Sequence, residues 1–481
     1  MAKTPRQNTA SRAPNPRDNQ RAKNAEVIPL NATQNARPAP FIIVGGGMCG
    51  TLMALFLAQR GYAVELIERR PDPRAHEAER GRSINMALSE RGLNALRAVG
   101  LENQIKPLCI PMYGRGVHDT QGNFSRQAYG RPGQHINSIS RRDLNLALID
   151  AAAREPSIQM HFDARVDHVD LATKSVSWST GRKKTTIQGR LIIGADGAAS
   201  VVRAAMLRDG LFDFSQHFIE HGYKELLIPA THDGGPQIDP NHLHIWPRHE
   251  HMLIALPNQD NSFTATLFLA LRGDESFESL DTHDALHAFF QTYFPEAQAL
   301  IPDLAEQFFS NPVGTMGTLQ IHPSVYQDAA VVIGDAAHAM VPFYGQGMNA
   351  AFEDCFELDK LFDRYDPSDL GEILRVFSER RRPHTEAIRK LAIDNFLEMR
   401  SSVVRPDYLV KKRAEQLIQA ILPNRFIPMY SMISFTTIPY QDAVERAARQ
   451  DRAIARGLIV GGAAIVAATS LAVRALRRRR R

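Results

Sequence analysis

Apolar positions along this chain change their spacing in a definite order. FIIV (Phe41–Val44) is a short apolar run that ends at glycines, whereas Thr51–Arg60 is a longer, mainly apolar stretch stopped by Gly61. AVELIE follows and ends in Glu68. A short apolar run bounded by a turn predicts a buried strand, and the longer one predicts a helix, so the opening reads as a βαβ unit. Ser83–Val99 carries a helical period. A polar, turn-rich piece (Tyr113–Gly133) separates it from an amphipathic helix beginning near Ser140. MHFDARVDHVDL and SVSWSTGRKKTTIQGRLIIGAD alternate as strands, with Gly181 at a hairpin. Residues 214–320 read as mostly β, through KELLIPA, HLHIWP, HMLIALP and FTATLFLAL, and from Glu353 to Arg456 the pattern is helical.

The expected architecture is therefore α/β. A dinucleotide-binding domain (41–111, 136–213 and 318–385) is interrupted by a β-sheet substrate domain (112–135 and 214–317). A C-terminal helical region (386–456) follows. The chain has 481 residues, 44% of them apolar and 23% charged, which is ordinary for two or three packed domains. The three cysteines, Cys49, Cys109 and Cys355, are too few and too scattered for a disulfide framework or a metal cluster. No apolar stretch of secretory-signal type follows the first basic residues.

The net charge of +5 is unevenly placed. Residues 1–40 carry +5 with six Pro, six Asn and no aromatic, and residues 457–481 carry +6, which leaves −6 between them. The first segment cannot bury enough apolar surface to offset its ordering entropy and is expected to be a disordered basic tail. The second is an uncharged run, Gly457–Val473, closed by five arginines. That pattern fits a helix lying on or dipping into an anionic membrane surface from the cytoplasmic side. The alternatives are a spanning anchor and a soluble helix on the core. Basicity confined to the tails gives no reason to expect a nucleic-acid groove.

Gly45, Gly47 and Gly50 form G-x-G-x-x-G between strand and helix, with Glu68 at the end of the next strand. In such a unit the first glycine makes the turn and the second admits a pyrophosphate. The third lets helix and strand pack closely, and the acid accepts ribose hydroxyls. NAD, NADP and FAD all fit that unit. LIIGADGAASVVR (191–203) and VVIGDAAHAMVPFYGQGMN (331–349) then each place an Asp after a glycine at a strand end, suited to a polyol such as the ribityl of FAD. The bland alternative for either is a strand–helix junction with a capping Asp.

In that order, the three motifs resemble the group A flavoprotein aromatic hydroxylases. Within the group, GRSINMALSERGLNALRAVGLENQI, IPMYGRGVHD, INSISRRDLNLAL, HGYKELLIP, NHLHIWPR, GDAAHAMVPF-x-GQGMNA-x-FEDC and RFIP-x-YSMISF resemble the kynurenine 3-monooxygenase family, over roughly Phe41–Glu445. The resemblance implies FAD as bound cofactor, NADPH and O2 as co-substrates, and hydroxylation of L-kynurenine through a flavin C4a-hydroperoxide, a step of tryptophan degradation. It implies flavin contacts at Cys49, Ile67, Glu68, Arg69, Arg70, Ala87, Arg141, Val166, Asp335, Met348 and Asn349, and substrate contacts at Arg115, Tyr129, Asn395 and Tyr430. Phe396 replaces a tyrosine usual beside Asn395, and Tyr344 stands at a variable position near the flavin. The chemistry needs no protein nucleophile and no metal, so His338 is read as a packed histidine and not as a base. Competing readings are a hydroxylase of a different aromatic acid, a halogenase and a flavin-bearing scaffold without turnover. The halogenase W-x-W-x-I-P signature is absent, because Trp178 and Trp246 are far apart.

Overall fold

The computed structural model describes residues 39–75, 85–399, 418–419, 421 and 425–454. The expected basic tail (all but its last two residues) and the segment 457–481 lie outside the described residues. Among the described residues, no helix is long and apolar enough to cross a membrane.

β1 (Phe41–Val44) is buried along its whole length, as a β-branched run covered on both faces should be. α1 (Met48–Gln59) buries nearly all of its length, so its sequence shows no polar stripe. Gly61, at φ +78°, ends it, and β2 (Val64–Ile67) runs parallel to β1. The helix expected over Ser83–Val99 is corrected at its start. Its described part opens as β3 (Asn85–Leu88), and only after Ser89 does α2 (Glu90–Ala98) begin. Distant partners override the local period: the Asn85 amide donates to Pro257 O and Asn258 Oδ1, both at 2.7 Å.

β4 (Ile110–Met112), β5 (Gly114–His118) and β6 (Phe124–Ala128) then lead away, and β7 (Ile136–Ser140) returns to pair with both β3 and β4. α3 (Arg141–Ala153) starts where expected, with the Ser140 hydroxyl accepting from Asp143 N at 3.3 Å. β8 (Ile158–His161) flanks β2. β9 (Arg165–Asp170), β10 (Ser175–Thr180) and β11 (Lys183–Gln188) form an antiparallel ribbon whose hairpin has Gly181 at φ +58°. β12 (Leu191–Gly194) lies parallel to β1 on its other side.

After α4 (Val201–Asp209), a second sheet is built from β13 (Asp213–Ile228), β14 (His242–Arg248), β15 (His251–Pro257) and β16 (Phe263–Ala270). The stretch that follows departs from the mostly β expectation. It forms α5 (His283–Tyr293), α6 (Pro295–Leu300) and α7 (Leu304–Ser310). The Thr282 cap on Ala285 N and the buried Leu286, Phe289 and Phe290 mark the first of these as an amphipathic helix. β17 (Gly314–His322) completes the sheet in the order β17-β13-β16-β15-β14-β5-β6.

β18 (Val325–Tyr326) and β19 (Ala330–Val332) return to the first sheet, ordered β18-β19-β12-β1-β2-β8. α8 (Asp335–His338), α9 (Gly347–Phe362), α10 (Leu370–Leu397) and α11 (Met429–Phe435) follow, and residues 440–454 are helical. The expected divisions at 317/318 and 385/386 fall inside β17 and α10.

A Cβ on Gly50 would sit 1.9 Å from Gly45 O, whereas one on Gly181 would meet nothing within 4 Å. Gly50→Ala is expected to cost more than about 3 kcal/mol by overpacking. Gly181→Ala should cost only about 1–2 kcal/mol, for its left-handed backbone. Urea denaturation of both variants checks the contrast.

Candidate active site

The turn between β1 and α1 is shaped by the protein's own packing. Gly45 has φ +106°, and a Cβ there would lie 2.5 Å from Ala195 O; one on Gly46 would lie 2.8 Å from Glu68 Cβ. At Gly47 a Cβ would meet only Arg70 Nη2, at 3.9 Å. The turn is therefore closed behind and open in front of Gly47. α1 begins there with no side-chain cap and no acid in its first turn, a cradle suited to a phosphate. The Glu68 carboxylate accepts from Gly46 N (2.8 Å) and from both Arg70 N and Arg70 Nε (2.9 Å each). Burial alone would raise its pKa, but the Arg70 contacts outweigh that and hold it below the usual carboxylate range. Ala164 N donates to Glu68 O and Asp163 N to Arg70 O, which brings half-buried Val166 alongside Ile67–Arg70. Gly46 was not singled out in the sequence, although its place in the GGG run was the available signal.

The two Asp motifs differ. Asp196 takes the bland role, its Oδ2 capping α4 by accepting from Val201 N at 2.6 Å. Asp335 is exposed in the first turn of α8, whose N-cap is Gly334 with no side-chain hydrogen bond, so its carboxylate faces outward. A Cβ on Gly334 would lie 3.2 Å from Cys49 Sγ, which sets Asp335 beside the glycine turn. Farther along, Gly345 (φ +64°) approaches Ala87 so closely that a Cβ would be 2.9 Å from Ala87 Cβ. Asn349, fully buried, donates to Ala87 O and Gly345 O (2.8 Å each) and accepts from Ser89 N (2.9 Å). Its side chain is thus engaged within the protein, and any ligand contact falls to its main chain and to half-buried Met348. Arg141 is exposed at the start of α3, within electrostatic reach of Tyr223 and Glu225 on β13.

The four expected substrate residues come from three separate parts of the chain. Tyr129 and Tyr430 stack with centroids 5.1 Å apart at 19°, the Arg115 guanidinium lies 5.7 Å from the Tyr430 ring, and Tyr344 is 5.7 Å from the same ring. Arg115 is buried at 8% exposure, with Glu398 Oε1 3.8 Å from its Nη1. Burial pushes the pKa of both Tyr129 and Tyr430 upward, so both stay protonated at neutral pH and can donate. Asn395 stands one layer behind, donating to Phe343 O at 2.6 Å, while Phe396 stacks on Phe343 at 4.2 Å. Glu398 was missed, although it follows Asn395 by three residues on the same helix face.

His338 is held in an ion network. Asp354 Oδ2 is 2.6 Å from His338 Nε2 and accepts from Gly334 N, and Asp354 Oδ1 accepts from Arg381 Nε at 2.7 Å. Glu353 joins Arg381 (2.6 Å) and Arg91 (2.5 Å). His338 is thus buried, with its Nε2 on Asp354. The acid pair in FEDC was the available signal; its arginine partners gave none.

A family model described as FAD binding domain matches residues 39–392. The kynurenine 3-monooxygenase of Salinispora arenicola is 42% identical over 455 residues, 93% of this chain and 99% of that one. The enzyme of the same name from Myxococcus xanthus is 44% identical over 420 residues, 86% of this chain and 90% of that one. The chain belongs to the kynurenine 3-monooxygenase family. In this family member, residues 39–392 are an FAD-binding domain. Its fold is shared with a solved 2-methyl-3-hydroxypyridine-5-carboxylic acid oxygenase, at TM-score 0.63 and 19% identity, covering 78% of this chain and 96% of that one.

Burial would raise the Asp354 carboxyl, but His338 and Arg381 outweigh it and hold the pKa at about 2, below the ordinary 3.8. The stabilisation this gives is complete above the unfolded-state pKa and lost as pH falls from about 4 towards 2. Asp354→Asn should therefore cost about 3–5 kcal/mol at neutral pH by leaving Arg381 unbalanced. That difference from wild type should shrink by on the order of 2 kcal/mol between pH 4 and pH 2. Denaturant titrations of both proteins across this range test it.

Proposed function

We propose that this chain hydroxylates L-kynurenine to 3-hydroxy-L-kynurenine with NADPH and O2. The observation that carries the reading is the meeting of Arg115, Tyr129 and Tyr430 beside the Phe343–Gly345 turn. Relatives at 42–44% identity bearing that name support it. FAD, when bound, takes up electrons from NADPH and activates O2 for transfer of one oxygen atom to the aromatic ring.

On this reading Gly45 and Gly50 set the close turn from which Gly47, the main chain at Cys49 and the α1 N-terminus hold the pyrophosphate with Arg141, while Ile67, Glu68, Arg69, Arg70 and Val166 hold the adenosine half. Asp335 receives the ribityl hydroxyls, and Ala87, Met348 and Asn349 border the ring. Arg115 binds the substrate carboxylate, which takes the place of Glu398, 3.8 Å away, as its counterion and can be gripped bidentately. The Tyr129 and Tyr430 hydroxyls donate to the same polar end. Asn395 fixes the Phe343 carbonyl, and Phe343, Phe396 and Tyr344 keep water from the reacting ring. The substrate's own amino group activates the neighbouring ring carbon, so no protein base is required. Hydroxylation of a different aromatic acid is the second reading, favoured only by the apolar Phe396. Product analysis with NADPH, O2 and a panel of aromatic acids decides between them.

Arg115→Ala should weaken kynurenine binding by roughly 2–5 kcal/mol, and kynurenine should no longer stimulate NADPH oxidation, while FAD content stays normal. A near wild-type Michaelis constant would remove Arg115 from the site. We also assign residues 457–481 to a membrane surface on the cytoplasmic side, where an apolar run and terminal arginines act together at about 1 kcal/mol per arginine. Truncation after Arg456 should move the protein from the membrane fraction to the soluble one and leave hydroxylation largely intact, as fractionation and product assay would show.

A further inference from the structure

Gln346 stands between Gly345 and Gly347, in the turn that precedes α9 and touches Ala87. It is 2% exposed, and its Oε1 accepts a hydrogen bond of 2.9 Å from the hydroxyl of Tyr440, itself fully buried. Tyr440 opens the helical stretch 440–454, far from the turn in sequence. Its ring carries the Arg91 guanidinium at 3.9 Å from the centroid. Arg91 also donates to Ile433 O at 3.1 Å and to Ile438 O, at the two ends of the link between α11 and Tyr440. Tyr430, which meets Tyr129 and Arg115, belongs to α11. One arginine thus fixes the helix bearing Tyr430 and the ring of Tyr440, and Tyr440 in turn fixes Gln346. On either side of Gln346 the turn has glycines, so this side chain and Asn349 are its polar anchors, Asn349 holding Gly345 O from within α9 and Gln346 being held by Tyr440 of the C-terminal region.

We infer that Tyr440 is a positioning residue: through its hydrogen bond to Gln346 it transmits occupancy of the Arg115–Tyr129–Tyr430 site to the Gly345–Gly347 turn, so that reduction and oxygen transfer proceed only with substrate in place. The inference rests on the proposed function. It assigns Tyr440 no contact with substrate or cofactor. Tyr440→Phe tests it, because the ring stays under Arg91 and only the hydroxyl is lost, leaving Gln346 Oε1 buried without its donor.

The full-length variant and wild type are compared in four measurements. These are FAD content, thermal midpoint, the change in the bound-flavin visible spectrum on titration with kynurenine, and the partition of NADPH electrons between hydroxylated product and hydrogen peroxide. A lost buried hydrogen bond predicts roughly a five- to tenfold fall in kynurenine-stimulated NADPH oxidation. The spectral response should weaken, and the peroxide share should rise. FAD content should be unchanged, and the kynurenine KM should remain within about threefold of wild type. A variant that matches wild type in spectral response and partition overturns the inference. So does one whose losses simply follow lost FAD and a lowered thermal midpoint, since that marks a purely structural role. A wild-type protein without any response to kynurenine overturns the proposed function itself, whatever the variant does.

Discussion

Glu353 and Asp354, adjacent on α9, lie in the dry interior and are neutralised by Arg91 and Arg381. Two acids and two arginines balance, and the backbone carbonyls of Ala350, Ile433 and Ile438 take up further guanidinium protons. Such a cluster gives little net stability over a well-packed apolar one, yet it penalises every arrangement that leaves one charge alone. Its members come from α2, α9 and α10, with His338 of α8 held on Asp354 and the chain after residue 425 attached through its carbonyls. Those elements can therefore meet in essentially one register. The candidate site sits on the rim of that register, since Gly334 N donates to Asp354, Asn349 shares α9 with both acids, and Gln346 is held by Tyr440, whose ring lies under Arg91.

The division of labour between the two sheets follows from what each can present. The parallel sheet ends its strands β1, β2 and β19 at one edge, where glycines and carboxylates emerge from turns. The second, mixed sheet, in which β5 runs parallel to β14, offers the face of the β5–β6 hairpin with Arg115 and the neighbouring Tyr129. Neither sheet supplies the last wall. That comes from Tyr430, Asn395 and Glu398, on helices beyond both.

Local features were legible in the sequence in proportion to how local their causes are. The first strand, the glycine turn and Glu68 could be read directly, because a few neighbouring residues force that geometry. β3 could not, because Asn85 is claimed by Pro257 and Asn258, more than 170 positions away. α5–α7 were hidden by aromatic residues that suit strands and helices alike. Arg115, Tyr129, Asn395 and Tyr430 carry no individual signature. Resemblance to a family named them; in the tertiary structure Arg115, Tyr129 and Tyr430 meet, with Glu398 near Arg115, while Asn395 stands one layer behind on Phe343. Tyr440 and Gln346 escaped both routes, being ordinary residue types whose meaning lies in a single contact.

The order β18-β19-β12-β1-β2-β8 has a consequence for how the protein is made. β1 leaves the ribosome early, but its neighbour β12 ends at Gly194, and β12 has its own outer partner only when β19 reaches Val332. At about 5–20 residues per second, translation leaves apolar strand edges uncovered for on the order of tens of seconds. The nascent chain must stay unaggregated through that interval without help from the acids on α9, which emerge later still. Translation speed, and any chaperone that shields these edges, therefore bears on how much of the chain reaches the finished fold.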